Sequence, residues 1–220
     1  LNKMVNQSVV EEIHNIVLDV ETVELDPHKQ FRRWYKDALC AEIFQPEAMH
    51  LSTAGRHGIP TGRFVLYKEP EKHGLPEGGL LFFTNFQSPK SRDIEEFPLV
   101  ALTFFWKELR RQIRIQGTAQ KVPEEVSDIY FETRQDGSKL GAWASAQSEV
   151  IEGRGALEER VEHFREKFAG SAIPRPKHWG GFIVLPGRVE FWQHRDDRLH
   201  DRIWYELQKD GSWTIQRLSP

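Results

Sequence analysis

Cysteine is nearly absent. Cys40 stands alone in 220 residues, so no internal disulfide can form and the expected setting is a reducing one, the cytoplasm. It falls in a predicted helix among apolar neighbours and reads as a small core residue rather than a nucleophile. Long apolar runs are missing too; none approaches the roughly 18 residues that span a bilayer. The first residues carry no basic segment followed by an apolar one, so no secretory signal is expected. Neither sign of charge dominates: 30 Lys and Arg stand against 33 Asp and Glu, a net charge of −3. No global field therefore draws the chain to nucleic acid or to a membrane surface.

Familiar catalytic signatures are missing as well. No GxGxxG follows a predicted strand and no GxxxxGK(S/T) occurs, which removes the Rossmann and P-loop readings. No HExxH or paired CxxC supports a metal site, and no GxSxG supports a hydrolase elbow. No repeat, low-complexity tract or linker divides the chain.

What the chain has in quantity is aromatic surface, with seven Trp and fourteen Phe. Residues 1–25 are acidic and unpatterned beyond Ile16-Val17-Leu18, and read as an arm whose order depends on docking. Residues 26–220 form the main domain. Asp26-Pro27 opens a helix as N-cap and first residue, and Phe31, Trp34, Tyr35, Ala38 and Leu39 follow on one face. Strands are predicted at 48–53, 62–68, 80–85, 99–106, 111–121, 181–185, 189–193, 199–206 and 213–218. Short helices start at Ser88-Pro89 and Pro123. A longer one covers 155–168 and carries Leu157, Val161, Phe164 and Phe168. Strand following strand argues against a doubly wound parallel sheet. It favours a mainly β (α+β) fold, a split antiparallel barrel of about eight strands with peripheral helices.

The densest chemistry lies in Arg188 to Tyr205, RVEFWQHRDDRLHDRIWY. Read as a strand, Arg198, His200 and Arg202 share one face. Three basic groups in a row repel one another unless an anion covers them, and Trp192 lies close by for stacking. The alternative is a charged strand solvated by water. Further phosphate-suited groups are Lys90 and Arg92 at a helix start, Arg63 and Lys68 bracketing FVLY, and Tyr130, Arg134 and Ser138. Arg63 and Lys68, five apart, point to opposite faces of a regular strand and serve one ligand only if the chain bends. Tyr130 and Arg134 share a helix face, with Ser138 following in a Gly-containing turn. Each also reads as ordinary surface or helix-end charge. Gln147, Ser148 and Gln112 offer neutral hydrogen bonds to a ring carbonyl or a polyol chain.

Seven segments in order give the chain a resemblance: RFVLYK, FFTNFQSPKSRDI, FFWKELRRQIRIQG, YFETRQDGSKLGAWASAQSEVI, PKHWGGF, VEFWQHRDDRLHDR and the terminal RLSP. Together they resemble the pyridoxine (pyridoxamine) 5′-phosphate oxidase family over about residues 26–220. The resemblance implies a split barrel forming a homodimer, with FMN at the subunit interface. It implies oxidation of pyridoxine or pyridoxamine 5′-phosphate to pyridoxal 5′-phosphate, with O2 as acceptor and H2O2 as product. It implies FMN contacts from Arg63, Phe64, Val65, Leu66, Phe83, Thr84, Lys90, Gln112, Gln147, Ser148, Trp192 and Arg202. Substrate contacts would come from Lys68, Tyr130, Arg134 and Ser138, and from Arg198 and His200, the implied catalytic pair. Histidine has a pKa suited to moving a proton, whereas arginine stays charged and suits an orienting role.

Two departures stand out. Position 89 is Pro where many members carry Arg, which removes one flavin-phosphate charge unless Arg92 or the helix start replaces it. The arm lacks the Arg- and Tyr-containing pattern that some members fold over the site. Two other readings fit the same scaffold: an FMN oxidase of phenazine biosynthesis acting on a reduced tricyclic precursor, and a non-catalytic flavin- or pyridoxal-phosphate-binding protein. A complete set of phosphate-gripping positions favours the phosphorylated pyridine.

Overall fold

The structure is a computed structural model and describes residues 5–220; the first four residues of the arm lie outside them. Eight strands form one antiparallel sheet among the described residues: β1 (Ala48–Ala54), β2 (Pro60–Leu66), β3 (Leu80–Asn85), β4 (Leu99–Trp106), β5 (Arg111–Lys121), β6 (Trp179–Gln193), β7 (Asp201–Leu207) and β8 (Trp213–Arg217). The order is β2-β1-β4-β5-β6-β7-β8, with β3 paired to the first half of β6. Past the end of β2, the Lys68 N–H donates to Leu81 O at 2.8 Å. That bridge ties β2 to β3 and closes a ring of β2, β1, β4, β5, β6 and β3, while β7 and β8 continue outward from the second half of β6. The split barrel with peripheral helices is therefore the observed fold.

One strand replaces two predicted ones. Pro186 and Gly187 break the apolar run of β6 in sequence, but the strand passes through them as a bulge opposite Gln116 and Gly117. A Cβ on Gly117 would sit 2.4 Å from Leu185 O, so the close crossing admits only glycine. The bulge lets β6 serve the ring with one half and the outer strands with the other.

The core fills the ring. Met49, Leu51, Phe82, Leu102, Phe104, Ile113 and Phe191 are buried along the strand faces where alternation places them. Helix α2 (Pro27–Cys40) closes one end, and its N-cap Asp26 accepts from the His28 N–H at 2.9 Å. Phe31, Trp34 and Ala38 are buried against the sheet, each large ring contributing roughly 1.5–3 kcal/mol. Leu39 and Cys40 lie on the other face of α2 and are exposed, so Cys40 is not a core residue. The apolar stripe follows the helical period through Ala38, and position 39 falls beyond its edge.

The arm is not unpatterned. Residues Gln7–His14 form α1, capped by Asn6, and Val10, Ile13 and Leu18 are each only 4% exposed against the main core. Helices α3 (Pro89–Glu96), α4 (Glu124–Glu132), α5 (Asp136–Ala144) and α6 (Arg154–Lys167) lie outside the barrel. α5 takes the place of the turn expected around Ser138. Its two glycines and lack of a side-chain cap conceal it in sequence. α6 buries none of its residues fully; Phe164 and Phe168 pack on Trp143 of α5. No helix among the described residues is long and apolar enough to cross a membrane.

Candidate active site

A cavity of about 820 Å³ opens beside β2, β3, the start of α3, α4, α5 and the loop that follows. Thirteen residues singled out in the sequence line it: Arg63, Phe64, Val65, Leu66, Lys68, Phe83, Thr84, Lys90, Tyr130, Arg134, Ser138, Gln147 and Ser148. Four of them are cations, and no Asp or Glu is among the described lining residues. The parity problem of Arg63 and Lys68 disappears because β2 ends at Leu66 and Lys68 lies beyond it, bridged to Leu81 of β3.

At one end lie Arg63 and Lys90. The first turn of α3 places Lys90, which is 8% exposed. Its Nζ donates to Thr84 Oγ1 at 3.1 Å, Ser88 Oγ at 3.0 Å and Gln147 Oε1 at 2.8 Å. None of these carries a charge. Burial, and then the nearby Arg63 guanidinium, push the Lys90 ammonium down to about 8. Arg63 donates to Thr53 Oγ1 at 2.7 Å and Thr61 Oγ1 at 2.5 Å. Both threonines donate in turn to Asp93 Oδ2 of α3, at 2.7 and 3.2 Å. Asp93 thus orients Arg63 through two hydroxyls without neutralising it directly. Nothing in the sequence spacing announces that relay, although Asp93 lies three residues after Lys90.

At the other end are Lys68, Tyr130, Arg134 and Ser138, the last in the first turn of α5. The Arg134 guanidinium lies 4.5 Å from the centre of the Trp179 ring. Its Nη1 is buried with no hydrogen-bond partner, and burial lowers its pKa. An aromatic wall backs this second group. Tyr130 stacks on Phe83 at 4.0 Å and Phe83 on Trp179 at 5.4 Å. A Cβ on Gly181 would meet the Phe83 ring at 2.9 Å, which accounts for the small residue behind the wall. Trp179, Asn85 and Ser145 also line the cavity and were not singled out in the sequence.

Five other expected site residues lie elsewhere. Gln112, Trp192 and Arg202 face one another in register across β5, β6 and β7. Arg202 donates to Glu190 Oε1 and Ser219 O, each at 2.8 Å, and the buried Glu190 also accepts from Arg114 at 2.9 Å. Arg198 and His200 are not on the strand with Arg202. Asp196–Arg198 make a short 3₁₀ turn in which Asp197 and Arg198 have φ of 54° and 61°, and β7 begins only at Asp201. Alternation in sequence ran through a turn that the backbone had already broken. The His200 ring rests 4.6 Å from Trp192 and 5.1 Å from His194, centre to centre. Arg92 donates to Gln87 O and lies outside the cavity lining, so it does not replace a charge at Pro89.

Comparison with known proteins agrees over most of the chain. Residues 35–168 match the pyridoxamine 5′-phosphate oxidase family, and residues 179–220 match the pyridoxine 5′-phosphate oxidase C-terminal dimerisation region. A pyridoxine/pyridoxamine 5′-phosphate oxidase of Trichormus variabilis is 48% identical over 198 residues, 90% of each chain. One of Rubrobacter xylanophilus is 50% identical over 195 residues, 89% of this chain and 87% of the other. The fold superposes on PhzG from Burkholderia lata, solved with tetrahydrophenazine-1-carboxylic acid, with a TM-score of 0.85 and 27% identity, over 94% of this chain and 98% of that one. Matched in both parts and in order, the chain belongs to the pyridoxamine 5′-phosphate oxidase family.

Proposed function

We propose that the protein is an FMN-dependent oxidase that converts pyridoxine 5′-phosphate or pyridoxamine 5′-phosphate to pyridoxal 5′-phosphate, with O2 as acceptor and H2O2 as product. The charge of the cavity carries the reading. Four cations without a carboxylate, one of them with a buried unpartnered nitrogen, suit anionic ligands. Arg63 and Lys90 make one group, and Lys68 and Arg134, both against the aromatic wall, make a second, which fits two phosphates rather than one. The volume of about 820 Å³ is within the range of cofactor sites, roughly 300–1,000 Å³.

Arg63 and Lys90 would hold the FMN phosphate, and Thr84, Gln147 and Ser148 its polar edge and chain. Ser148 has a φ of 73°, a conformation that suggests a position fixed for contact rather than for comfort. When bound, FMN would supply the acceptor for a hydride from the substrate carbon bearing the alcohol or amine and the route for its electrons to O2. Lys68, Tyr130, Arg134 and Ser138 would grip the substrate phosphate, so that binding energy remote from the reacting carbon fixes its place. Arg198, with its planar fork of donors, would orient the ring from the far side, and His200 would hydrogen-bond beside it.

These roles call for two copies of the chain. Phe64, His50, Thr103, Arg114, Glu190 and Trp204 lie opposite one another across six strands. Phe105, Gln112, Trp192 and Arg202 form a neighbouring row on the same face. Within one subunit Gln112, Trp192 and Arg202 are not among the residues that line the cavity. Phe64 and Phe105, 73% and 60% exposed, mark the face as one that a second copy would cover. A homodimer would lay the partner's row over the cavity and put FMN between subunits. Residues 26–220 would be the oxidase domain and 1–25 its arm, and the lone Cys40 suits a cytoplasmic setting.

The likeness to PhzG supports a second reading, an FMN oxidase of phenazine biosynthesis. Its tricyclic acid has no phosphate for Lys68, Tyr130, Arg134 and Ser138, so the phosphorylated pyridine is preferred. The test is to purify the protein, record flavin absorbance, and follow peroxide formation from pyridoxamine 5′-phosphate in air. Flavin with turnover supports the proposal. Flavin without turnover on either phosphate ester favours the tricyclic substrate or a non-catalytic flavin-binding protein, and absence of flavin binding rejects both oxidase readings.

A further inference from the structure

The loop that carries Arg198 and His200 is tied to the N-terminal arm through one side chain. Arg195 donates from Nη1 to His14 O at 3.2 Å and from Nη2 to Ile16 O at 2.8 Å. Its Nε donates to Asp201 Oδ2 at 2.6 Å. Arg217 completes the knot, donating to Asp201 Oδ1 at 2.9 Å, Leu18 O at 2.9 Å and Asp19 Oδ2 at 2.7 Å. Asp201 therefore receives two guanidinium groups, each of which also holds the arm. All these contacts surround the residue next to His200.

The backbone of Arg195 acts on His200 itself. Its N–H donates to His200 Nδ1 at 3.1 Å. A backbone N–H can only donate, so Nδ1 must present its lone pair, and the proton of the neutral imidazole lies on Nε2. The ring is held in that pose by Trp192 and His194. In this tautomer the free nitrogen is a donor and has no lone pair with which to accept a proton.

We propose that Arg195 is a positioning residue that couples the docked arm to His200 and holds the imidazole as an Nε2–H donor to substrate rather than as a general base. The proposal deepens the oxidase reading and rests on it for the role of His200. Proton removal from the alcohol or amine then falls to solvent or to another group, and His200 orients an oxygen or nitrogen acceptor of the substrate.

The test compares wild type with Arg195→Ala and Arg195→Lys. In ¹⁵N-histidine-labelled apoprotein, about two pH units above the ordinary imidazole pKa, two-bond proton–nitrogen spectra report the tautomer, with His200→Gln assigning the signal. Wild type should show a single Nε2–H form and Arg195→Ala a mixture. Limited proteolysis should cut the arm faster in Arg195→Ala. In holoenzyme, kcat should fall roughly ten- to hundredfold with FMN affinity unchanged, as expected for a displaced reacting group. Arg195→Lys, which can still reach Asp201, should restore part of each. An unchanged tautomer in Arg195→Ala, or a wild-type Nδ1–H form, overturns the proposal. So does a loss of turnover that merely follows loss of flavin or of folded protein. Should wild type bind no FMN or oxidise neither ester, the oxidase reading fails separately, while the apoprotein spectra and proteolysis still decide whether Arg195 holds His200.

Discussion

The Lys90 ammonium donates to the side-chain oxygen of Gln147 across 2.8 Å, joining the first turn of α3 to a loop 57 residues further along the chain. The bond holds a buried cation on neutral partners and leaves its charge available. Gln147 is thereby placed at the same cavity wall as Thr84, which lies within 3.5 Å of its oxygen.

That arrangement predicts a pH dependence for flavin binding. Burial lowers Lys90 from 10.5 to about 8 in the free protein. A bound phosphate would favour the charged form and raise it again. Below about 8 the lysine is already protonated, so affinity should be flat. Above it, binding must take up a proton, and affinity should fall by up to about tenfold per pH unit. Flavin fluorescence titration should show this decline in wild type and a weaker one in Lys90→Arg, whose charge persists. The unliganded protein should move the other way, gaining stability as pH rises from about 8 toward 10.5, where the unfolded chain sheds the proton.

Arg134 should separate binding from folding. Its Nη1 is buried without a partner, a cost that a substrate phosphate would relieve. Arg134→Met should raise KM for the phosphate esters by roughly ten- to hundredfold, the equivalent of about 1.5–3 kcal/mol for a charge-assisted bond. Turnover of an unphosphorylated analogue should change little. Thermal melting without ligand should stay the same or rise, because a desolvated charge has been removed. A lower melting temperature would mean that Arg134 serves the fold first.

Much of the barrel was readable because strand alternation and apolar runs are local. β3, β4 and β5 fall where the residues 80–85, 99–106 and 111–121 place them. What escaped has physical causes. α1 rests on only Val10 and Ile13 within the helix, too short a stripe to show a period. α5 contains Gly137 and Gly141 and lacks a capping side chain. The turn at Asp197 and Arg198 puts two non-glycine residues in the left-handed region, which no alternation pattern reveals. The cavity was less legible still. Arg63, Lys90, Arg134 and Gln147 come from four distant segments, so only the family resemblance joined them before the fold did. The Thr53–Thr61–Asp93 relay and the Arg195–Asp201 knot have no signature in spacing at all.

The exposed sheet face predicts the state of assembly. Phe105 is 60% exposed beside Gln112 and in the same row as Trp192 and Arg202. Phe105→Asp would place a charge where a second copy should pack, and desolvating it costs several kcal/mol. Sedimentation should show a dimer for wild type and a monomer for the variant. Circular dichroism should stay unchanged, since the side chain points away from the core. Flavin affinity should drop with the dimer, because the proposed contacts from Gln112, Trp192 and Arg202 come from the partner. A monomeric variant that still binds FMN at wild-type strength would refute a shared site.

Glu190 offers the sharpest separation of structure from site. Its carboxylate is buried and receives Arg114 and Arg202 at 2.9 and 2.8 Å. Glu190→Gln keeps the shape but removes the charge. Arg114 is half exposed and can turn to water, whereas Arg202 is mostly covered and would lose its main counter-charge. Breaking a buried pair on one side is costly, and partial exposure reduces that to about 1–3 kcal/mol here. Urea unfolding should show that loss as a lower midpoint with an unchanged slope. Freed from Glu190, Arg202 would be an unpaired cation aimed at the proposed flavin face, so FMN binding should recover part of the lost stability. The variant's melting temperature should therefore rise more on adding FMN than that of wild type. An equal rise in both would mean that Arg202 serves Glu190 alone and does not reach the cofactor.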